Sequence, residues 1–114
     1  MIFQVLTDWW RGYGGIFGGV RSPKWGEVRK NYLKFNPVCE MCGSNKTIQV
    51  HHKQPFHLHP ALELDYSNLI TLCGFLGHNC HFVHGHLKDF KSFNVDIKTD
   101  AVLLQTKIKN RPYA

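Results

Sequence analysis

The sequence lacks any long apolar run. Its first 20 residues contain apolar side chains, but Asp8 and Arg11 interrupt them and the basic start of a signal peptide is missing. No stretch approaches the roughly 18–20 consecutive apolar residues that a membrane span needs. We therefore predict a soluble, cytoplasmic protein without a membrane partner. In such a reducing compartment, clustered cysteines bind metal more often than they form disulfides.

Histidine and cysteine are missing from most of the chain. The four cysteines lie at 39, 42, 73 and 80, and all eight histidines lie between 51 and 86. Zinc-dependent nucleobase deaminases need a proline directly before a cysteine and a His-x-Glu motif upstream of it. Here Pro37 is separated from Cys39 by one residue and no histidine precedes His51, which excludes that class.

Acidic residues are few. The chain has 14 Lys and Arg against 8 Asp and Glu, a formal charge of +6. This excess favours a polyanionic partner through counterion release, but many basic proteins bind no nucleic acid. At 114 residues the chain is predicted to be one domain with a modest core.

Residues 1–21 are predicted to form a flexible arm. Five glycines at 12, 14, 15, 18 and 19 oppose a stable helix. The arm is either a mobile terminus or a segment whose Trp9, Trp10 and Arg11 contact nucleic acid. The rest, residues 22–114, is predicted to be the folded domain.

Residues 22–114 are predicted to contain three helices, from the periodicity of their apolar side chains, and two strands, from β-branched content and a short apolar run. The helices are expected at 22–37, capped by Ser22 and ended by Pro37, at 79–91 and at 98–109. The strands are expected at 47–53 and 69–73. The side chains predicted to face the core are Trp25, Val28, Tyr32 and Phe35 in the first helix, Val83, Leu87 and Phe90 in the second, and Ala101, Val102, Gln105 and Ile108 in the third.

The cysteines have the spacing of a zinc site. Two residues separate Cys39 from Cys42, and Gly43 allows a tight turn beneath the ion. Six residues separate Cys73 from Cys80, which is wider than usual, but a glycine-containing loop can close that gap. Four thiolates would leave no open position, so we predict a structural zinc ion. The alternatives are four free buried thiols, or His78 in place of one cysteine.

Adjacent histidines end the first predicted strand. Neighbouring residues of a strand point to opposite faces, so His51 and His52 need different partners. Together with Asn68 and the Cys80-His81 pair, this pattern resembles the HNH endonuclease family. The similarity spans residues 39–81 and is carried by these motifs: Cys39-x-x-Cys42, Val50-His51-His52-Lys53-Gln54-Pro55, Ser67-Asn68-Leu69-Ile70-Thr71-Leu72-Cys73 and Cys80-His81.

The resemblance implies an α+β protein whose ββα-metal core, residues 39–91, is flanked by helices. It implies that His52 is the general base and that His51 and His81 bind one catalytic divalent cation, Mg²⁺ or Mn²⁺, with Ni²⁺ or Zn²⁺ as alternatives. Asn68 would pin the loop that orients His52, although a simple loop-capping role is also open.

Two further histidines follow His81. In colicin-type relatives a second ligand lies one turn after the first, and here that position is Gly85. On an α-helical wheel His84 lies nearer to His81 than His86 does. We therefore keep His84 as a further candidate ligand and predict a buried structural role for His86.

The function implied is hydrolysis of DNA phosphodiester bonds, by nicking or double-strand cleavage, in a bacterial or phage-infected cell. Candidate phosphate contacts are Arg29, Lys30, Lys34, Lys53 and Lys88, although such charges are also typical of a solvated face. One alternative is a non-catalytic zinc module that binds nucleic acid or protein. Another is a nuclease that acts with phage packaging proteins or other recruiting partners.

Overall fold

The structure, a computed structural model, describes residues 21–114. The predicted contacts of Trp9, Trp10 and Arg11 lie outside the described residues. The elements in chain order are helix α1 (Trp25–Phe35), strands β1 (Ile48–His52) and β2 (Leu69–Cys73), a π-helical turn (His81–Gly85) and helix α2 (Ile97–Lys109). Two short 3₁₀ turns, Pro60–Leu62 and Tyr66–Asn68, lie in the loop between the strands.

The two strands form an antiparallel pair. Their register runs from Ile48 opposite Cys73 to His52 opposite Leu69. All five residues of β2 are buried, as expected for an apolar strand covered on both faces. Both strands lie where the sequence predicted them, within one or two residues.

Helix α1 covers one face of this sheet. Trp25 and Tyr32 are buried against Leu69, with Val28 packed beside them. Phe35 is 73% exposed at the last residue of the helix, so its predicted place in the core is wrong. The predicted cap is also wrong, because the Ser22 hydroxyl accepts the Lys24 N–H (3.1 Å) in a turn that precedes the helix.

The helix predicted at 79–91 is reduced to the π-helical turn. Asn79, Leu87 and Lys88 have positive φ angles of 53°, 53° and 67°, a left-handed conformation that a right-handed helix cannot contain. Within the turn the His86 N–H donates to the His81 carbonyl (3.0 Å), five residues back. Leu87, predicted to face the core, is 53% exposed.

Helix α2 closes the other side of the core. Ile97 and Ala101 are buried with Met41, Ile70 and Leu72, and the cysteines belong to the same cluster. Val102 and Gln105, both expected to face the core, are exposed, although the Gln105 amide donates to the Met41 carbonyl (2.6 Å). Among residues 21–114 no helix is long and apolar enough to cross a membrane.

The fold is therefore α+β, with a two-stranded antiparallel sheet, a following helical turn and flanking helices. This is the ββα-metal arrangement that the sequence predicted, with one correction. Its third element is a single π-helical turn in place of a three-turn helix.

Candidate metal centres

The four cysteines form one compact cluster. Their sulfur atoms all lie within 4.8 Å of one another, and the Cys42 and Cys73 sulfurs are 3.6 Å apart. Cys39, Cys73 and Cys80 are buried and Cys42 is half-buried. Four closely spaced sulfurs fit a tetrahedral zinc ion with no open position.

Glycines explain how the six-residue gap between Cys73 and Cys80 closes. The N–H groups of Gly77 and Asn79 both donate to the Gly74 carbonyl (3.0 Å each), which folds the chain back. A Cβ at Gly77 would lie 2.9 Å from the Cβ of Cys73, so only glycine fits this close approach. Gly43 has a φ of +85°, as the tight turn after Cys42 requires.

The pKa values of the thiols differ because a negative charge on one thiolate disfavours ionisation of its neighbours. A hydrogen bond from the Cys80 thiol lowers the pKa of Cys39 to about 4, whereas burial raises the pKa of Cys42 to about 11. Without a cation, only part of the cluster can therefore ionise at neutral pH. His78 lies beside the cluster: its N–H donates to the Cys73 sulfur (3.2 Å), and its Nδ1 lies 3.2 Å from the Cys42 sulfur. This histidine therefore contacts the cysteine cluster, whose four sulfur atoms group together without it.

Three histidines form a second cluster. His51 near the end of β1 meets His81, the first residue of the π-helical turn, and His86, which directly follows the turn, with one ring nitrogen of each within 4.8 Å of the others. All three side chains are buried. His84 is not part of this group, whereas His86, predicted to be structural, is.

Hydrogen bonds assign the lone pairs in this cluster. The His81 Nδ1–H donates to the Gln49 side-chain oxygen (2.6 Å), and the His86 Nδ1–H donates to the Ser92 carbonyl (2.8 Å). Since a neutral imidazole has one N–H, both Nε2 atoms carry lone pairs, and they lie 3.2 Å apart. Two lone pairs at this distance repel each other unless a proton or a metal cation lies between them.

Burial disfavours protonation of these three imidazoles, so a metal cation is the better candidate to lie between their lone pairs. Burial lowers the pKa of His81 to about 3 and also lowers the pKa values of His51 and His86. The Nε2 atom of His51 is buried, and no hydrogen-bond partner for it is found in the described residues. Nitrogens bound to one tetrahedral ion at about 2.0–2.1 Å are about 3.4 Å apart, close to the observed separation. The three imidazoles thus fit a divalent cation.

Sequence reasoning missed Gln49, which orients His81. Hydrogen-bonded outer partners of this kind hold a ligand's tautomer and ring direction. Gln49 precedes His51 by two positions in β1 and so shares its face of the strand. This two-residue repeat of the strand was the sequence signal that could have placed Gln49 beside the histidine cluster.

His52 points to the other face of β1. Its ring packs against Trp25, with ring centroids 4.5 Å apart and planes tilted by 36°, and its Nε2 lies 2.9 Å from the Glu63 carbonyl oxygen. A carbonyl can only accept, so Nε2 carries the proton and Nδ1 the lone pair. Burial, together with the positive charge of Arg21, lowers the pKa of His52 to about 4.

Asn68 ties the loop between the strands together. Its side-chain amide donates to the carbonyls of Gln54 (3.1 Å) and Leu62 (3.2 Å), and its oxygen accepts the Gln54 N–H (2.8 Å). The residue is buried. Asn68 therefore holds the loop that carries Glu63 next to the start of β2.

The basic candidates are distributed over the surface. Arg29, Lys30 and Lys34 are exposed on α1, and Lys88 is exposed after the π-helical turn. Lys53 instead donates from its ammonium group to the Ser67 carbonyl (2.9 Å), so it also holds the loop.

Comparison with known proteins finds a match to one protein family. The model of the HNH endonuclease family matches residues 39–86, less than half of the chain, and this segment contains both clusters and His52. No curated protein and no solved structure matches the chain. The matched segment is thus similar to the HNH endonuclease family, and its two strands and following turn have the ββα-metal arrangement.

Proposed function

We propose that this protein is a metal-dependent endonuclease that hydrolyses phosphodiester bonds of DNA. The supporting observation is the end of β1, where adjacent histidines serve two sites. His51 faces a cation site with His81 and His86, and His52 faces the loop with its tautomer assigned. The family match over residues 39–86 supports a nuclease at the coarse level.

His52 is the proposed general base. With Nε2–H held by the Glu63 carbonyl, Nδ1 is free to take a proton from a water molecule whose oxygen attacks phosphorus. The lowered pKa of about 4 means that the imidazole is neutral, the accepting form, at pH 7. Asn68 contributes by holding the loop against which His52 is oriented.

His51, His81 and His86 are the proposed ligands of the catalytic cation. A divalent cation at such a site stabilises negative charge that develops on phosphate oxygens and on the leaving oxygen. Three imidazole nitrogens suit Zn²⁺ or Ni²⁺ better than Mg²⁺ or Mn²⁺, which prefer oxygen ligands. We therefore rank Zn²⁺ and Ni²⁺ first for binding.

The four cysteines are the proposed ligands of a separate, structural zinc ion. That site lacks an open position for substrate, so its contribution is to folding. Arg29, Lys30, Lys34 and Lys88 are proposed to contact DNA phosphates, since they are exposed and basic.

The test is cleavage of a supercoiled plasmid by the purified chain with Mg²⁺, Mn²⁺, Ni²⁺, Zn²⁺ or EDTA. We expect metal-dependent nicking or linearisation that His52→Ala reduces by about 10²–10⁴-fold, the range for general-base catalysis. His59→Ala, which removes an exposed imidazole from the same loop, is the matched control and should cleave normally.

Zinc content and circular dichroism should be equal in all three proteins. Full cleavage by His52→Ala would reject this residue as the base. A folded, zinc-loaded protein that binds DNA but cleaves it with no metal would instead favour the non-catalytic module.

A further inference from the structure

Glu63 is a buried carboxylate to which the proposed mechanism assigns no role. It is 4% exposed and follows the 3₁₀ turn Pro60–Leu62 in the loop between the strands. Its carboxylate accepts the Ser22 N–H (3.1 and 3.3 Å to its two oxygens) and lies 3.4 Å from the Arg21 guanidinium. These contacts join the loop to the chain just before α1.

Burying a carboxylate is costly, and an apolar side chain often gives equal or greater stability. Stability alone therefore does not explain why a glutamate, and not an apolar residue, occupies this position. What distinguishes Glu63 is its own backbone, because its carbonyl accepts the Nε2–H of His52 (2.9 Å).

The backbone around Glu63 is held from two sides. On one side the Asn68 amide donates to the Leu62 carbonyl (3.2 Å). On the other side the Glu63 carboxylate is held by Ser22 and Arg21. The Arg21 guanidinium is in turn fixed over the rings of Trp25 and Phe56, at 5.3 and 4.7 Å from their centroids. Trp25 also packs against the His52 ring, so the same group of side chains contacts both partners of the hydrogen bond.

We propose that Glu63 is a positioning residue whose carboxylate, held by Ser22 and Arg21, fixes its own carbonyl and thereby the Nε2–H tautomer of His52. This inference rests on the proposed role of His52 as the general base. Without the anchor, the carbonyl moves away and His52 samples the tautomer in which Nδ1 carries the proton and cannot accept another.

The first measurement is independent of cleavage. Long-range ¹H–¹⁵N correlation spectra of the zinc-loaded, histidine-labelled full chain report which ring nitrogen of His52 is protonated. We expect a single Nε2–H tautomer in the wild type and a mixture of tautomers in Glu63→Ala. Glu63→Gln, which still accepts the Ser22 N–H but lacks the charge, should lie between them. Glu27→Ala, on the exposed surface of α1, should match the wild type.

The second measurement is steady-state cleavage by the same proteins. Displacing a catalytic group by about 1 Å can cost about 10²-fold, so we expect kcat to fall by about 10–100-fold in Glu63→Ala and less in Glu63→Gln. KM should change little, because the residue orients a base and does not bind substrate. A merely structural glutamate would lower the melting temperature without changing the His52 tautomer or kcat, and that result would overturn the inference. Glu63→Gln preserves the side-chain volume and keeps the test valid if Glu63→Ala does not fold.

The two proposals fail in different ways. If the wild type cleaves and His52→Ala does not, but Glu63→Ala leaves tautomer and kcat unchanged, only the role of Glu63 is wrong. If the wild type cleaves no DNA, the proposed function fails, and the tautomer spectra alone decide whether Glu63 positions His52.

Discussion

At the scale of single residues, His86 differs most from what the sequence led us to expect. On an α-helix, a residue five positions after His81 points well away from it. The hydrogen bond from His86 N–H to His81 O instead encloses five residues, as in a π-helix, and returns His86 to the face of His81. His84 lies outside the cluster for the same reason.

Alanine substitution should distinguish the roles of His86 and His84 in metal binding. We predict that His86→Ala weakens binding of Ni²⁺ to the zinc-loaded protein by at least about 10–100-fold. Loss of an outer-shell partner already costs that much, and His86 is proposed as a direct ligand. His84→Ala should leave the affinity within about twofold of wild type. Isothermal titration with both variants measures the difference, and a larger loss in His84→Ala would reject our assignment.

At the scale of elements, the π-helical turn packs unusually close to the sheet. A Cβ at Gly85 would lie 3.0 Å from Leu72 Cδ1 and 3.2 Å from His51 Cε1. Both neighbours are buried and have little room to move. Glycine at this position therefore allows the turn to approach His51, and it also explains why residue 85 carries no ligand.

Gly85→Ala is predicted to destabilise the protein by about 1–3 kcal/mol, the usual cost of overpacking a core. Helix propensity alone predicts the opposite sign. In α1, where a Cβ at Gly26 meets no atom within 4 Å, Gly26→Ala should stabilise by about 0.5–1 kcal/mol. Urea denaturation of both variants at saturating zinc tests this pair. Equal stabilisation by the two substitutions would show that the turn does not pack as described.

At the scale of the whole molecule, the cysteine cluster is part of the core. Cys39, Cys73 and Cys80 share one buried cluster with Met41 and with Ile97 of α2. Packing and metal binding are therefore not separable parts of the fold. A zinc ion held by the four cysteines would join a turn near α1, the end of β2 and the start of the π-helical turn, while α2 packs over the same cluster.

Removal of zinc should consequently unfold the domain. Structural zinc sites contribute about 10–16 kcal/mol of apparent binding free energy, which is as large as the whole stability of a small domain. We expect chelation under reducing conditions to abolish the cooperative melting transition in circular dichroism, and added zinc to restore it. An unchanged melting temperature after confirmed zinc loss would favour the alternative of four free thiols.

Charge also acts at this scale. If Arg29, Lys30 and Lys34 contact phosphates, removing all three should reduce the slope of log K against log salt by up to about 0.9 for each lost contact. A matched control removes three exposed charges at the other end of the chain, with Lys107→Ala, Lys109→Ala and Arg111→Ala. Both triple variants carry His52→Ala to prevent cleavage. Equal reductions in the two would show that net charge, and not a local contact, governs binding.

Local patterns in the sequence were sufficient for much of this protein. The β-branched content of one segment and the apolar run of another placed β1 and β2, and the alternation of strand side chains assigned His51 and His52 to opposite faces. The Cys-x-x-Cys spacing with Gly43 led to the four-cysteine site, because two thiolates so close in the chain can reach one ion. Asn68, recognised through the family resemblance, lies in the loop as expected.

Only the tertiary structure revealed the partners that complete the sites. A change from α- to π-helical hydrogen bonding leaves no periodic signal in five residues, so the position of His86 was not readable from a helical wheel. Gln49 meets His81 across 32 positions and Glu63 meets Ser22 across 41. Contacts this distant in sequence form only when the strands, loop and turn pack together. The strand period places Gln49 on the face of His51, but it does not show which side chain Gln49 meets.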